Sequence, residues 1–228
     1  MRLPITPTTT LWRELRDDLR RRRSVGRVVV AIDGLDGAGK SVFADGFAQI
    51  LAEDGSAVLR ASIDDFHRPR AERHARGRRS PEGFYRDSYD YATFRRVLLD
   101  PFLEGAQTSG STGFQLRAFD VDRDTPVESE WVSADVDAVL VVDGIFLHRP
   151  ELLDLWDWSV WLDAPFEVTF ARMAERDGTD PDPSAPSNAR YLEGQRIYLR
   201  EADPRAAATV IVDNSDVHHP HRVPAGAR

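Results

Sequence analysis

The stretch GLDGAGKS at residues 34–41 has the residue types and the spacing of a loop that binds phosphate groups, the Walker A pattern. It follows the apolar run RVVVAI and precedes a helical pattern, which is the context that this motif requires. Its glycines let the backbone curl so that N–H groups point inward, and the following helix adds its positive N-terminal end. The ammonium of Lys40 would reach the β- and γ-phosphates of a nucleotide, and the Ser41 hydroxyl would hold Mg²⁺.

The predicted nucleotide is ATP, and the residues predicted to bind it are Gly34, Asp36, Gly37, Ala38, Gly39, Lys40, Ser41 and Val42. A GTPase would need an N-K-x-D loop to read guanine, but Lys40 is the single lysine of the chain. Motor ATPases usually end the second acidic strand in Asp-Glu, whereas here Asp143 is followed by Gly144. The pattern therefore favours a kinase, in which Lys40 acts on the transferred phosphate of the donor.

Acidic residues follow two further apolar runs that read as buried strands. In SIDDFHRPR, Asp64 and Asp65 end one run, and ligands of an open α/β sheet lie beyond the carboxyl ends of its strands. A kinase needs a carboxylate that accepts the proton of the acceptor hydroxyl, so Asp64 is predicted to be the catalytic base. The side chain of Asp65 should point to the other face. Asp143 is predicted to hold Mg²⁺ through water, and a capping or turn aspartate is the alternative for these positions.

Two aromatic-rich stretches contain candidates for binding the acceptor. In GFYRDSYDYATF, Asp90 either hydrogen-bonds a sugar diol or caps the helix that follows it. In FQLRAFDVDRDTPV, Phe119 and Asp120 form a short strand or ribbon, and the Phe119 ring either stacks on a ligand or packs in the core. Both stretches are therefore candidates for the wall of a base or sugar pocket.

Arginines are the third group of candidates. FEVTFARMAERDG places Arg172 and Arg176 one helical turn apart, where two guanidinium groups could clamp the triphosphate and stabilise charge on the transferred phosphoryl group. A solvated helix paired with its own acidic residues is the alternative. The Pro-rich segment 178–187 is predicted to be a hinge that lets this part close as a lid. The arginine-rich segment 67–88 reads as a loop that is solvated, folds over an anionic substrate or binds RNA.

Composition limits the classes of protein to which the chain can belong. It has 228 residues, no cysteine and a formal net charge of -8. The lack of cysteine excludes disulfides, thiolate catalysis and Cys-based zinc sites, and the negative charge argues against nucleic acid as the main partner. The N-terminus has no apolar signal region and no stretch is long enough to span a membrane, so a cytoplasmic protein with no membrane partner is predicted. Assembly into a homo-oligomer is left open.

Apolar runs alternate with helical patterns, and these elements must position the candidate residues. Buried parallel strands are predicted at 27–32, 57–63, 138–143, 159–163 and 209–213. Helices are predicted at 11–23 with Thr10 as N-cap, and near 40–54, 91–104, 165–177 and 188–201. The alternation predicts an α/β fold with a doubly wound parallel five-stranded sheet. Together with the phosphate loop and the paired arginines, this arrangement resembles a P-loop NTPase of the nucleoside or nucleotide kinase type with a helical lid.

Three regions are expected along the chain. An N-terminal helix in residues 1–24 packs on or flanks the core, and residues 25–215 form the kinase domain, with the lid at about 172–196. Residues 216–228, which contain three histidines, are predicted to be a disordered tail.

The order of the motifs resembles that of the uridine kinase and phosphoribulokinase family of P-loop kinases, from about Val28 to Asn214. The motifs are the phosphate loop, DDFH, YDYATF, FDV, VVDGIF, the paired lid arginines and a final VIVDN. The resemblance implies that Asp64 is the base and approaches Mg²⁺ together with Ser41. It also implies that Asp143 stands where the family usually has Glu.

The same resemblance implies roles for residues on the acceptor side. His67 falls where an aromatic next to the substrate is expected, Asp90 matches the carboxylate that binds ribose hydroxyls, and Phe119 matches an aromatic at the nucleobase. Arg172 and Arg176 match lid arginines. The residues predicted to bind the acceptor are therefore Asp64, His67, Asp90, Phe119 and Arg190.

The sequence departs from the family at the positions that read the base. YDYA stands in place of Phe-Asp-His-Pro, Phe119 in place of Tyr, and the triplet DRD at 122–124 where a histidine is expected. The predicted function is that of an ATP-dependent kinase, a phosphotransferase with an alcohol group as acceptor, acting on a ribosyl-type small molecule and first of all on the 5′-OH of uridine or cytidine. The alternatives are another acceptor (nicotinamide riboside, pantothenate or a sugar phosphate), a nucleotide-binding regulatory ATPase, or an RNA-binding protein.

Overall fold

The structure is a computed structural model that describes residues 2–23, 25–105 and 113–224. Its strands are β1 (Val28–Gly34), β2 (Val58–Ser62), β3 (Phe119–Asp120), β4 (Thr125–Pro126), β5 (Val139–Gly144), β6 (Trp158–Asp163), β7 (Val210–Asp213) and β8 (His221–Arg222). Six of them form one sheet in the order β2-β5-β1-β6-β7-β8, and β3 pairs with β4 in a separate hairpin. The first five strands of the large sheet are parallel, and β8 joins β7 antiparallel.

Helices lie on both faces of this sheet and beyond its edge. They are α1 (Pro7–Arg22), α2 (Lys40–Ala52), α3 (Arg70–Arg73), α4 (Pro81–Asp87), α5 (Tyr91–Phe94), α6 (Asp100–Gly105), α7 (Phe166–Asp177), α8 (Ala189–Ala202) and α9 (Pro204–Ala207). A π-helical turn at Arg95–Leu99 joins α5 to α6, and 3₁₀ turns span Ile63–Phe66 and Pro150–Leu155. No helix among the described residues is long and apolar enough to cross a membrane.

The strands form because their side chains are buried on both faces of the sheet. In β1, Val29 and Ala31 belong to one hydrophobic layer, whereas Val28, Val30 and Ile32 belong to the opposite layer. A strand covered on both sides needs a continuous apolar run rather than an alternating one, and β-branched residues pack well there. The fold class predicted from the runs is confirmed: the chain is an α/β protein with a mostly parallel central sheet and helices around it.

The N-terminal helix packs against α2 through a close aromatic contact. The rings of Trp12 and Phe43 meet edge to face with centroids 5.6 Å apart. A Cβ atom on Gly46 would lie 2.0 Å from the Trp12 ring, so only glycine allows this approach. The helix begins earlier than predicted, because Thr6 rather than Thr10 is its N-cap and forms a capping box with Thr9.

Two further expectations are wrong for part of the chain. The segment 67–88 is not one loop, because α3 and α4 lie within it, and α4 is capped by the Ser80 hydroxyl, which accepts from Gly83 N–H at 3.0 Å. The segment 216–224 is not a free tail, because His221–Arg222 continues the sheet at β7. Residues 225–228 of the predicted tail, and residues 1 and 24 of the predicted N-terminal region, lie outside the described residues.

Candidate functional site

The phosphate loop is built by backbone conformations that glycine favours. Gly37 and Gly39 have φ angles of 77° and 90°, and the first turn of α2 follows directly. A Cβ atom on Gly37 would lie 2.2 Å from the carbonyl oxygen of Thr169, so the loop is packed closely against α7. The curled shape of the loop is therefore supported both by its own glycines and by its packing against α7.

Side chains from distant elements fasten this loop. The Asn214 amide donates to the carbonyl of Ala38 at 2.7 Å, and the Asp36 N–H donates to the Gln195 side chain at 2.8 Å. Lys40 lies within the loop and its ammonium donates to the carbonyl of Leu35 at 2.9 Å. Val42, on the first turn of α2, leaves 75% of its surface exposed.

Ser41 and Asp143 form the oxygen-rich corner of the site. The Ser41 hydroxyl donates to Asp143 Oδ2 at 2.7 Å, and the other carboxylate oxygen accepts from Arg60 at 2.8 Å. Because the Ser41 proton points to Asp143, its lone pairs are free for a cation, and Mg²⁺ in proteins takes one or two such oxygens beside phosphates and water. The donor set fits Mg²⁺. No cluster of three or more His, Asp or Glu ligands exists within the described ranges.

Asp64 follows β2 in the 3₁₀ turn and is exposed beside the loop. The Tyr89 hydroxyl donates to Asp64 Oδ1 at 2.8 Å, and burial together with the charge of Asp64 raises the pKa of Tyr89 well above its usual value. The phenol therefore stays neutral and orients the carboxylate. Asp65 pairs with Arg117 at 3.4 Å.

Four charged groups meet at this end of the sheet. Burial raises the pKa of Asp36, the positive charges of Lys40 and Arg176 oppose that rise, and the charge of Asp64 adds to it. Charged groups that act on one another in this way concentrate at functional sites. The predicted base, the loop lysine and one of the two predicted lid arginines are thus within electrostatic reach of Asp36 in the phosphate loop.

A cavity of about 430 Å³ lies next to Asp64. Three of the residues predicted to bind the acceptor, His67, Asp90 and Phe119, line it together, with Arg96 and Gln115 among the polar groups around them. The ring of His67 also packs on Tyr89, with centroids 4.5 Å apart, and burial lowers its pKa. The imidazole is thereby favoured in its neutral form on the wall of the cavity.

Asp90 caps the helix that follows it, which is one of the two roles that its sequence left open. Its carboxylate accepts from the Thr93 N–H at 3.0 Å and from the Thr93 hydroxyl at 2.7 Å, so it caps α5. Burial alone would raise the pKa of Asp90, but these hydrogen bonds and the charge of Arg68 lower it. Asp90 is therefore an ionised cap that also faces the cavity.

The two lid arginines have different partners. Arg172 donates to the carbonyls of Asn214 and Ser215 at 3.0 and 2.8 Å, and burial lowers its pKa. Arg176 is exposed and pairs with Asp177 at 2.7 Å. Arg172 is thus fixed beside the residue that fastens the phosphate loop, whereas Arg176 is the one that faces Asp36 and Asp64. Arg190 lies apart from both, in another cavity lined by Arg78 and Arg79.

The sequence analysis missed a buried polar network behind the loop. Asp33 is fully buried, and its carboxylate accepts from Gly34 N–H at 2.7 Å, from His148 Nδ1 at 2.7 Å and from the Tyr198 hydroxyl. Tyr198 lies on α8, so the network ties that helix to the start of the phosphate loop. A lone Asp before Gly34 was the only local signal for it, because the other two residues are more than 100 positions away.

Comparisons with known proteins identify which proteins this chain is similar to. No protein-family model matches the chain. A uridine kinase of Leuconostoc citreum is 28% identical over 156 residues, which cover 66% of this chain and 68% of that protein. A solved structure described as a possible uridine kinase from Bacillus stearothermophilus is 25% identical, with a TM-score of 0.63 over 87% of this chain and 98% of the other.

The chain resembles the uridine kinase and phosphoribulokinase family of P-loop kinases. A phosphoribulokinase from Rhodobacter spheroides shares the fold at 18% identity, with a TM-score of 0.54 over 82% of this chain and 70% of that one. The resemblance predicted from the order of motifs is thus confirmed. The phosphate loop, Ser41, Asp64 and Asp143 lie at one end of the sheet, next to the cavity lined by His67, Asp90 and Phe119.

Proposed function

We propose that the chain is a Mg²⁺-ATP-dependent kinase that transfers the γ-phosphate to a hydroxyl of a ribosyl-type small molecule. One observation carries the proposal: the charge of Asp64 acts on Asp36 of the phosphate loop, and the Asp64 carbonyl lies 2.8 Å from Nδ1 of His67, which lines a cavity of about 430 Å³ together with Asp90 and Phe119. A carboxylate between a donor site and an acceptor-sized cavity is where a kinase needs its base.

The residues of the site have separate tasks in this proposal. The curled loop and Lys40 bind the β- and γ-phosphates, and Ser41, with Asp143 and Asp64 near it, would hold Mg²⁺, which supplies charge neutralisation on the phosphates. Asp64 accepts the proton of the acceptor hydroxyl while Tyr89 keeps its carboxylate in position. Arg176 stabilises charge that spreads over the transferred group.

The acceptor proposed first is the 5′-OH of uridine or cytidine. Support comes from the uridine kinase relative and from the cavity, where Asp90 can accept from ribose hydroxyls and Phe119 offers a ring for a base. Nicotinamide riboside, pantothenate and sugar phosphates are the acceptors that the same test compares. A cytoplasmic location and a small-molecule partner, rather than nucleic acid or a membrane, belong to this proposal.

The test is a screen for ADP release that depends on the acceptor, with nucleosides, vitamins and sugar phosphates as acceptors. Asp64→Asn should lower kcat by about 10² to 10⁴ while ATP still binds, because it removes general base catalysis. Lys40→Ala should abolish turnover with the fold retained. If no acceptor stimulates the parent protein and basal hydrolysis is the same in Asp64→Asn, the chain is a regulatory ATPase instead.

A further inference from the structure

A second cavity is separate from the one proposed for the acceptor and has a larger volume than it. It has a volume of about 680 Å³ and lies between the segment before α4 and the start of α8. Its lining contains Arg78, Arg79 and Arg190, and no acidic residue. Three guanidinium groups in one concave space form a positive site for which the proposed phosphoryl transfer assigns no role.

The arginines of this cavity differ from their neighbours in their partners. Arg73 pairs with Asp124 at 3.4 Å and Arg76 with Asp87 at 2.8 Å. Across the described residues, no carboxylate forms an ion pair with any of the three cavity arginines. Although the chain has a net charge of -8, no acidic side chain neutralises this concave surface locally.

Arg190 is held rigidly without being neutralised. Its guanidinium donates to the carbonyl of Arg78 at 2.7 Å and lies over the rings of Phe84 and Tyr191, at 5.6 and 5.8 Å from their centroids. Its Nε is buried and has no hydrogen-bond partner among the described residues. Rigid, partly desolvated arginines bind oxyanions well, because little side-chain entropy is lost on binding.

The start of α8 adds positive potential at the same cavity. Asn188 is the N-cap residue, but its side-chain amide donates to the carbonyls of Asp180 and Asp182, both at 2.8 Å, and does not cap the helix. Ala189 at the first turn lines the cavity. Helix N-termini carry free N–H groups and a partial positive charge, which favour a bound anion.

The pKa of His74 depends on the positive charge around this cavity. Its Nε2 lies 3.2 Å from the guanidinium of Arg190. Burial lowers the pKa of His74, and the charges of Arg190, Arg73, Arg78 and Arg70 lower it further.

The geometry points to an anion-binding site formed by Arg78, Arg79 and Arg190 at the start of α8, which takes the phosphate group of a phosphorylated small molecule. The chemistry is shared by two sources, a phosphate carried by the acceptor itself and a separate phosphorylated effector. Paired arginine forks and free helix N–H groups match the three oxygens of a phosphate better than a single carboxylate. The site is separate from the phosphate loop and does not rest on the proposed reaction.

The test follows the imidazole of His74 by NMR, with inorganic phosphate compared against chloride at matched ionic strength. Mg²⁺ and a non-hydrolysable ATP analogue occupy the phosphate loop, so that phosphate cannot be reporting on that loop. Phosphate in the cavity should raise the pKa of His74 in a saturable way, since a nearby anion favours the imidazolium. The His74 resonance is assigned by its loss in His74→Asn.

Matched variants separate the site from general charge effects. Arg78→Gln/Arg79→Gln changes two exposed side chains, so the fold is retained, and it should weaken phosphate binding by about tenfold or more. Arg200→Gln, an exposed arginine on the same helix that lies outside the cavity, should bind phosphate as the parent does. If phosphate leaves His74 unchanged in the parent, or changes it equally in the double variant, the site does not exist.

A second arm identifies the source of the phosphate. ADP release is measured with matched pairs of acceptors that both keep a free 5′-OH, ribose against ribose 1-phosphate and a nucleoside against its 3′-monophosphate. A preference for the phosphorylated members that disappears in the double variant assigns the anion to the acceptor. Saturable phosphate binding without such a preference assigns it to an effector. Binding at His74 is measured without turnover, so a failure of the proposed reaction does not remove it.

Discussion

At the scale of single residues, Asp90 has a structural task, and we propose a chemical one beside it. It caps α5 through Thr93 and also lines the cavity next to Asp64, the proposed base. A carboxylate that accepts from two ribose hydroxyls is left unpaired by a substrate that lacks one of them, which is costly. We therefore expect ribonucleosides to exceed 2′-deoxyribonucleosides by at least about tenfold in kcat/KM, and Asp90→Ala to remove most of that preference while ATP affinity is unchanged.

Asp90→Asn is the control for the cap, because Asn caps helices about as well as Asp but offers only one acceptor oxygen. It should keep the stability of the parent in urea and still lose selectivity, whereas Asp90→Ala should lose both. Equal use of ribo and deoxy acceptors by the parent protein would reduce Asp90 to a helix cap.

Residues in local motifs could be predicted, and residues in long-range networks could not. The GLDGAGKS loop encodes its own shape, since Gly37 and Gly39 supply the positive φ angles that the curl requires. Asp33, His148 and Tyr198 meet only in the folded chain, and nothing in their neighbours signals it. The separate position of Arg190 likewise depends on how α8 packs against α4.

At the scale of elements, the sequence at the start of α4 contains a helix-start signal that conflicts with the loop predicted for segment 67–88. Ser80 and Pro81 are the N-cap and the first helical residue, a combination that favours the start of a helix, yet the arginines around them made the segment read as a loop. α1 likewise starts with an N-cap residue followed by proline, Thr6 and Pro7, and therefore begins earlier than predicted. The π-helical turn between α5 and α6 has no comparable signature and could not be predicted.

Removing the cap of α4 tests this reasoning. The Ser80 hydroxyl accepts from Gly83 N–H, so Ser80→Ala should lower the free energy of unfolding by about 1 kcal/mol, as measured by urea denaturation. Ser80→Asp, which restores a capping oxygen, should recover most of the loss. A Ser80→Ala protein as stable as the parent would mean that packing against α8, and not the cap, holds α4.

The link from α8 to the phosphate loop is the second prediction for an element. Tyr198→Phe removes one donor from the fully buried Asp33 carboxylate, so it should destabilise the protein by about 1 to 3 kcal/mol in urea. Tyr85→Phe is the control, because Tyr85 packs on the same Phe146 ring without bonding Asp33. Equal losses in the two variants would show that ring packing, and not the hydrogen bond, matters at Tyr198.

At the scale of the whole molecule, the sequence predicts the class of the sheet but not the order of its strands. Apolar runs separated by helices imply parallel strands joined by crossovers. That β5 lies between β1 and β2 depends on packing across the whole chain. This order is what places Asp143 between the phosphate loop and the turn that carries Asp64, so the site depends on a feature that no motif contains.

The docking of the N-terminal helix makes the stability of the molecule depend on pH. Glu53, at the end of α2, has a side chain only 5% exposed and is bonded by Arg13 at 2.8 Å and by Leu3 N–H at 2.7 Å. The hydrogen bond from Arg13 outweighs burial and lowers the pKa of Glu53 from 4.5 to about 2. Its contribution is therefore complete above pH 4.5 and is lost as the pH falls towards 2, because only the unfolded chain takes up the proton in that range.

We expect the stability difference between the parent and Glu53→Gln, measured by urea denaturation at a series of pH values, to be constant above pH 4.5 and to shrink towards pH 2. Taking the difference removes the contribution of every other carboxylate that titrates in both proteins. Glu14→Gln, an exposed position on α1, should show no such pH dependence. A difference between parent and Glu53→Gln that persists unchanged down to about pH 2 would mean that the charge of Glu53 does not hold the helix in place.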